Sequence, residues 1–305
     1  MANVQDSSSG YSSAFPSAPI TIKGRSLSHH LHLHISEADL QAGRVVAAHR
    51  PQPIRQYDQI PMMTKDLVRQ VKLAGPILSG QRVVFMGDMD GTAALLGLFA
   101  ANGGPAPSHL TVVDFDERVL EMSLRVAQRY GFAQYLTVET YNVFDPVPPS
   151  LAGQSDWFYT NPPYGQHNNG LSVQLFLGRA CEMVDPICGS GILIIPDDLS
   201  RPWTRQVMRS TQSFLLHHGW QVHEQIADLH RYHLDDDPQL VSSAVFLGRS
   251  LPQDGLSFPP FPYTDRMVDM ASIGHFYGRT VKPPYPNRID SLGRAFYRKE
   301  LPLIH

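Results

Sequence analysis

Short apolar runs alternate with longer segments of helical periodicity through most of this chain, and this alternation limits the folds that it can adopt. The apolar runs are rich in β-branched residues, which is typical of buried strands, and the segments between them carry apolar residues at helical spacing. The pattern predicts strands at 82–86, 110–114, 136–141, 156–160 and 191–196, and helices starting near Thr92 and at 117–130, 171–184 and 202–218. Such alternation predicts an α/β fold built on a doubly wound, mainly parallel sheet.

Two further runs complete the pattern, at 220–227 and 242–248. No clear helix separates them, so we predict an antiparallel pair at the edge of the sheet, which brings the number of strands to seven. Before the first strand, an apolar stripe over 65–75 predicts a lead-in helix, with Thr64 as its cap.

Composition divides the chain into four segments. Residues 1–25 are dominated by Ser, Pro and Gly, which predicts a flexible arm. An N-terminal extension with the lead-in helix spans 26–80, the sheet domain spans 81–250, and a Pro- and Tyr-rich C-terminal arm spans 251–305. We expect this last arm to be irregular and to pack on the body or on a second subunit, which makes a homodimer possible.

Histidines alternate with apolar residues in the run SHHLHLHI at 28–35. Period-two alternation predicts a strand that carries His30, His32 and His34 on one face. Such a face could bind a metal, but no carboxylate or cysteine nearby completes a ligand set, so no metal site is predicted.

The charge balance bears on the class of partner. The chain has 25 Lys and Arg against 28 Asp and Glu, a net charge of −3. This balance disfavours nucleic acid, which remains possible, and favours a small cationic substrate.

No apolar stretch reaches the roughly 18 residues of a membrane span, so no membrane partner is predicted. Two cysteines, Cys181 and Cys188, cannot form a disulfide framework and suit a reducing cytoplasm.

The turn after the first predicted strand reads GDMDG, and its residues are candidates for a binding site. Ligands of such sheets lie beyond the carboxyl ends of the strands. Gly87 and Gly91 permit a tight turn, and Asp88 and Asp90 place two carboxylates in it. A pyrophosphate-binding loop avoids such charges. The turn therefore suits a nucleoside with a positive centre, either a sulfonium or an aminopropyl ammonium.

Polar residues follow the next two strands as well. Asp114 and Asp116 follow the second strand, where a carboxylate can accept hydrogen bonds from a ribose diol. Asn142 follows the third strand and could bind an adenine edge. The alternative for an aspartate at such a position is a helix cap.

The run Asn161-Pro162-Pro163-Tyr164 after the fourth strand is the most specific feature of the sequence. Two prolines fix the backbone and supply no N–H. The Asn161 side chain and a proline carbonyl could therefore accept hydrogens from one amino group, and Tyr164 could stack on a base or contact a cation. The alternative is a Pro-rich turn without a ligand.

Three more residues are candidates for contact with the acceptor. Asp235 and Asp236 belong to an acidic stretch that would attract a polycation and repel DNA if it lay over the pocket. His167 follows the NPPY run and could meet the acceptor. The alternatives are a solvated loop and an ordinary turn.

The ordered runs GDMDG, VVDFDE, YNVFD and TNPPYG resemble those of class I S-adenosylmethionine-dependent transferases, which implies a Rossmann-like sheet. The NPPY run also resembles that of methyltransferases acting on amino groups. Over about residues 56–250 the chain is similar to the catalytic domain of branched-chain polyamine synthases, aminopropyltransferases that use decarboxylated S-adenosylmethionine. Two positions depart from that family, since Met89 and Asn161 stand where it has aspartates.

The resemblance implies roles for the candidate residues. Gly87, Asp88 and Asp90 would line the reactive tail of the nucleoside, with Asp88 or Asp90 as the base, and Asp114 would bind the ribose and Asn142 the adenine. Asn161 and Tyr164 would meet the acceptor amine. The other assigned residues are Asp116 and Pro162 on the cofactor side, and Asp58, Gln59 and Pro163 on the substrate side.

Three functions follow as hypotheses. The first is aminopropyl transfer to a linear polyamine such as spermidine, and the second is methyl transfer from S-adenosylmethionine to an amino group of a nucleic acid, a protein or a small molecule. The third is a binding protein that kept the fold and lost turnover.

Overall fold

Seven strands form one sheet in the computed structural model, which describes residues 33–232, 240–249, 257–269, 273–274, 276 and 286–297. In chain order these strands are β1 (Arg82–Met86), β2 (His109–Asp114), β3 (Leu136–Thr140), β4 (Trp157–Thr160), β5 (Ser190–Pro196), β6 (Trp220–Arg231) and β7 (Val241–Arg249). Their spatial order is β3-β2-β1-β4-β5-β7-β6. The first five are parallel, and β7 runs antiparallel to both β5 and β6. The predicted doubly wound, mainly parallel sheet with an antiparallel pair at its edge is confirmed.

Helices cover both faces of the sheet. They are α1 (Glu37–His49), α2 (Thr64–Leu78), α3 (Thr92–Ala101), α4 (Glu117–Tyr130), α5 (Leu171–Met183) and α6 (Pro202–His217). Side chains of α1 to α4 contribute to the apolar core on one face, and those of α5 and α6 to the core on the other face. The sheet is therefore buried on both sides, which is why its central strands read as continuous apolar runs. In the described part of the chain, no helix combines the length and the apolar character of a membrane span.

Helix α1 was not predicted from the sequence, and it begins just after the predicted histidine strand. Ser36 caps the helix, its hydroxyl accepting from the Asp39 amide while the Asp39 carboxylate accepts from the Ser36 amide. This capping box is a sequence signal for a helix start just after the histidine run. Residues 33–35 are not in a strand, because the helix begins directly after them and Leu33 and Ile35 pack against the core. The rest of the run lies outside the described residues.

Helix α2 differs from its prediction at both ends. Thr64 is its first residue rather than its cap, and Met63 at the cap position makes no side-chain hydrogen bond to the helix. At the other end α2 continues past Gly75 and Pro76 to Leu78, whose side chain is buried in the core. Burial of Leu78 favours this extra turn over the break that Gly and Pro predict.

Part of the C-terminal segment predicted to be irregular forms a small hairpin, with strands β8 (Pro286–Ile289) and β9 (Ala295–Tyr297). Asp290 organises its turn, because its carboxylate accepts from the backbone amides of Leu292 and Arg294. Ile289 is buried in the apolar cluster on the α5 side of the sheet. This contact fixes the hairpin against the carboxyl ends of the strands.

Candidate active site

The carboxyl ends of β1, β2, β3 and β4 meet at one edge of the sheet, and each is followed by predicted site residues. Met86, the last residue of β1, pairs with Val113 on one side and Thr160 on the other. The Gly87 amide donates to the Val113 carbonyl, and the Thr160 hydroxyl donates to the Met86 carbonyl. The acidic turn therefore lies between Asp114 and Asn161.

The Asp88 carboxylate accepts hydrogen bonds from the first turn of α3, whose cap residue is Gly91. The two carboxylate oxygens of Asp88 accept from the backbone amides of Thr92 and Ala93 at 2.8 and 3.0 Å. Burial raises the pKa of Asp88 to about 7, against the lowering effect of these two hydrogen bonds. Gly87 and Gly91 have φ of 70° and 73°, which a residue with a Cβ adopts only with strain. The turn therefore needs both glycines to place the Asp88 carboxylate at the N-terminus of α3.

Asp90 is tied to three segments of the chain. Its Oδ1 accepts from the Met62 amide at 2.6 Å, and its Oδ2 accepts from the Asn161 side-chain amide at 2.8 Å. The guanidinium of Arg50 lies 4.0 Å from Oδ1, and these two side chains are only 7% and 6% exposed. Arg50 also donates to the carbonyls of Asp90 and Met62. A buried cation therefore compensates part of the charge of the acidic turn.

Asn161 connects Asp90 to a pair of tyrosines. Its Oδ1 accepts from the Tyr232 hydroxyl at 3.1 Å and lies 3.4 Å from the Tyr164 hydroxyl. The two hydroxyl oxygens lie 2.7 Å apart, and the rings meet edge to face. Burial raises the pKa of both tyrosines well above the ordinary value, so both hydroxyls stay protonated.

Asp114 and Asp116 lie together beyond β2 but differ in their surroundings. Asp114 accepts from the Asp116 amide, and burial together with the charges of Asp116 and Asp88 raises the pKa of Asp114 to about 8. Asp116 caps α4 and forms a 2.6 Å ion pair with Arg118. Its Oδ2 also accepts from Gln59, so both predicted residues, Gln59 and Asp116, contact each other.

Asn142 lies under the C-terminal hairpin. Its amide nitrogen donates to the carbonyls of Pro286 and Asn287 at 3.3 and 2.9 Å, and its oxygen accepts from the Phe144 amide. The Ile289 amide donates to the Phe115 carbonyl next to it. The hairpin therefore contacts the edge of the sheet where the resemblance places the adenine.

The remaining predicted residues differ in position. Pro162 is buried and Pro163 half-buried in the turn that joins Asn161 to Tyr164, and half-buried Asp58 adopts the left-handed conformation next to Gln59. His167 is exposed in a short turn at 166–168. Asp235 and Asp236 lie outside the described residues.

Arg50 and Tyr232 belong to this cluster but were not among the site residues predicted from the sequence. Arg50 directly follows α1, and Tyr232 directly follows β6. Neither Arg50 nor Tyr232 belongs to a recognisable sequence motif. Only the tertiary structure shows that Arg50 lies close to Asp90 and Tyr232 close to Asn161.

Comparison with known proteins places this chain and its fold among S-adenosylmethionine-type transferases. A family profile described as the branched-chain polyamine synthase A C-terminal domain matches residues 39–247. No curated protein sequence matches the chain significantly.

Solved structures share the fold at low sequence identity. The Thermus thermophilus branched-chain polyamine synthase C9 mutein, in complex with N4-aminopropylspermidine and 5′-methylthioadenosine, is 21% identical, with a TM-score of 0.62 over 78% of this chain and 69% of that one. The Thermus thermophilus synthase with the same two ligands is also 21% identical, with a TM-score of 0.59 over 74% and 67%. A Pyrococcus horikoshii protein provisionally assigned as an RNA methyltransferase is 15% identical, with a TM-score of 0.52 over 71% and 100%.

Proposed function

This chain belongs to the branched-chain polyamine synthase family, and on that premise we propose that it transfers an aminopropyl group from decarboxylated S-adenosylmethionine to a nitrogen of a linear polyamine such as spermidine. It is an enzyme of the S-adenosylmethionine-dependent transferase type, whose co-substrate is S-adenosylmethionine or its decarboxylated form. The proposal concerns the group transferred and the acceptor.

The observation that carries the proposal is the contact between the acidic turn and the NPPY turn, where the Asn161 amide meets the Asp90 carboxylate at 2.8 Å. The first turn is assigned to the reactive tail of the nucleoside and the second to the acceptor amine. The two reactants would therefore meet at this contact. Holding nitrogen, carbon and sulfur in line is a large part of such catalysis, and can contribute roughly 7–11 kcal/mol.

The proposed reaction is a displacement at carbon. The lone pair of the acceptor nitrogen attacks the methylene carbon bonded to the sulfonium, and the carbon–sulfur bond breaks with its electrons going to sulfur. The products are 5′-methylthioadenosine and a more highly substituted amine, and one proton is released from the nitrogen. Because a polyamine nitrogen is protonated at neutral pH, that proton must leave before the attack.

Asp88 and Asp90 are the proposed proton acceptors, directly or through water. The pKa of about 7 for Asp88 suits a base at neutral pH, although its oxygens already accept from two amides. Asp90 lies nearer to Asn161, and each of its oxygens accepts one hydrogen bond from a backbone or side-chain amide. A carboxylate oxygen accepts about two, so Asp90 retains capacity for an amine.

The nucleoside half of the site is proposed to be bound by the residues beyond β2 and β3. The ionised Asp114 carboxylate would accept hydrogen bonds from the ribose diol, and Asn142 would bind the adenine. The Asp116 carboxylate is already bonded to Arg118 and Gln59, so Asp116 would stabilise the nucleoside half of the site by holding these two side chains in place.

A second candidate is methyl transfer from intact S-adenosylmethionine to an amino nitrogen. Two observations favour it: the neutral Asn161 stands where the family has an aspartate, and Arg50 compensates Asp90. Both features make the site less attractive to a polycation and more tolerant of a donor carboxylate.

Calorimetric titration with S-adenosylmethionine and its decarboxylated form distinguishes the two candidates, since the ligands differ by one carboxylate. We expect tighter binding of the decarboxylated form, and conversion of spermidine to an aminopropylated product detected by mass spectrometry. Preference for the intact form, with no aminopropylated product, would overturn the first candidate and support methyl transfer. Binding of both nucleosides without any product from the amines tried would support the binding protein.

A further inference from the structure

A second tyrosine lies beside the NPPY run, supplied by the residue that follows β6. Tyr232 is 5% exposed, and its hydroxyl lies within hydrogen-bond distance of three oxygens. These are Asn161 Oδ1 at 3.1 Å, Tyr164 Oη at 2.7 Å and Ser242 Oγ at 3.3 Å. Tyr232 thus contacts both residues assigned to the acceptor amine.

We propose that Tyr232 is a positioning residue of the acceptor subsite, whose hydroxyl fixes the orientation of the Asn161 side-chain amide and of the Tyr164 hydroxyl. This assignment rests on the proposed function, in which Asn161 and Tyr164 meet the acceptor.

The orientation of the amide follows from the chemistry of its neighbours. An ionised carboxylate only accepts hydrogen bonds, so the NH2 group of Asn161 must face Asp90. Its carbonyl oxygen then faces the tyrosines, where it needs a donor. Tyr232 is the nearer donor, at 3.1 Å against 3.4 Å for Tyr164. With its own hydrogen directed at Asn161, Tyr232 accepts from Tyr164.

A buried row of side chains lies behind Tyr232 and sets the direction of the Ser242 hydrogen. Ser242 Oγ lies 3.0 Å from Nδ1 of His230, and Nε2 of His230 lies 2.8 Å from Oε1 of Gln70. Burial lowers the pKa of His230 to about 3, so the imidazole is neutral. Nε2–H then donates to Gln70, and Nδ1 accepts from Ser242. The Ser242 hydrogen is thereby directed at His230 rather than at Tyr232, so the Tyr232 oxygen stays open to the Tyr164 hydrogen while the Tyr232 hydrogen goes to Asn161.

The row could instead serve only to stabilise the fold. In that case Tyr232→Phe would cost stability and leave the reactive geometry intact. In the positioning role, loss of the hydroxyl frees one side of the Asn161 amide while the NPPY backbone and the nucleoside half stay in place. The two roles therefore differ in kinetics and in the environment of the Asn161 amide.

The kinetic test compares Tyr232→Phe with Tyr141→Phe. Tyr141 is also buried, and its hydroxyl donates one hydrogen bond to the Asp145 carbonyl at 2.8 Å. We expect kcat for aminopropyl transfer to fall about tenfold in Tyr232→Phe, with KM for the nucleoside unchanged, and to stay within about twofold in Tyr141→Phe.

A second readout requires no turnover. With ¹⁵N-labelled asparagine, the side-chain amide signals of Asn161 are assigned by their loss in Asn161→Asp. We expect these signals to shift in Tyr232→Phe and to stay in place in Tyr141→Phe. Unshifted signals in Tyr232→Phe, or equal loss of kcat in both phenylalanine variants, would overturn the positioning role. If the wild-type protein transfers no aminopropyl group, the proposed function fails and the amide signals still decide the role of Tyr232.

Discussion

The side-chain amide of Asn161 donates a 2.8 Å hydrogen bond to the Asp90 carboxylate, across 71 residues of sequence. This bond joins the turn after β1 to the turn after β4. A neutral amide can donate here, whereas an ionised aspartate, the residue of the family at position 161, would face Asp90 with a second negative charge. Asn161 therefore both removes one charge from the site and stabilises the other.

Asn161→Asp should make stability depend more steeply on pH. Two carboxylates at this distance cannot both ionise without repulsion, which raises the pKa of one of them in the folded state. The variant should therefore lose about 1–3 kcal/mol of unfolding free energy as pH rises from 5 to 8. Urea denaturation at several pH values measures this loss. Asn169→Asp, an exposed site, is the matched control, and parallel pH profiles for both variants would contradict the prediction.

Arg50→Met should destabilise the fold, because it leaves the Asp90 carboxylate buried without its cation. Breaking such a pair costs about 3–5 kcal/mol. The exposed pair of Arg44 and Glu37 on α1 provides the control, and Arg44→Met should cost less than about 1 kcal/mol. Arg50→Lys, which keeps the charge, should recover part of the loss. Equal unfolding free energies for Arg50→Met and Arg44→Met would show that Arg50 does not compensate Asp90.

Nucleoside affinity should increase with pH through the pKa of Asp114, about 8. Only the ionised carboxylate accepts both hydrogens of a ribose diol, so the binding-competent fraction grows up to about tenfold per pH unit below that pKa. Calorimetry with 5′-methylthioadenosine between pH 6.5 and 9 measures this dependence. Asp114→Asn should bind weakly at every pH in this range, and an unchanged pH dependence in the variant would exclude Asp114 as its source.

The same carboxyl should affect stability with the opposite sign. A folded-state pKa raised above the unfolded value means that the native state binds more protons between about pH 4 and 8. Stability contributed by this group is therefore full below pH 4 and decreases as pH rises to 8. Asp114→Asn should flatten the decline, as thermal melting at several pH values would show.

Loosening the β8–β9 hairpin should increase nucleoside affinity. Asn142 donates to the hairpin carbonyls, and these bonds must break before it can bind an adenine. Ile289→Ala removes the buried anchor of the hairpin and should tighten 5′-methylthioadenosine binding several-fold, at a stability cost of about 2 kcal/mol or more. Leu292→Ala, at a side chain 75% exposed in the hairpin turn, should change neither quantity. Weaker binding in Ile289→Ala would instead make the hairpin part of the nucleoside site.

Much of the fold could be predicted because its signals are local. The runs at 82–86 and 117–130 matched their strand and helix at both ends, since β-branched runs and a capped amphipathic stripe are properties of neighbouring residues. Helix α1 was missed although its capping box is also local, because only the histidine alternation before it was interpreted. The extra turn of α2 was missed for another reason, since it depends on the burial of Leu78 by other segments.

The sequence by itself determined the order of the strands along the chain, and with it the set of polar residues that follow them. Parallel strands end at the same edge, so the acidic turn, Asp114, Asn142 and Asn161 had to lie near one another. Only the tertiary structure decided which of these groups are already bonded within the protein. Asp90 meets Arg50, Met62 and Asn161 from 40, 28 and 71 residues away. Such partners depend on how helices and loops pack around the sheet, and no local periodicity encodes them.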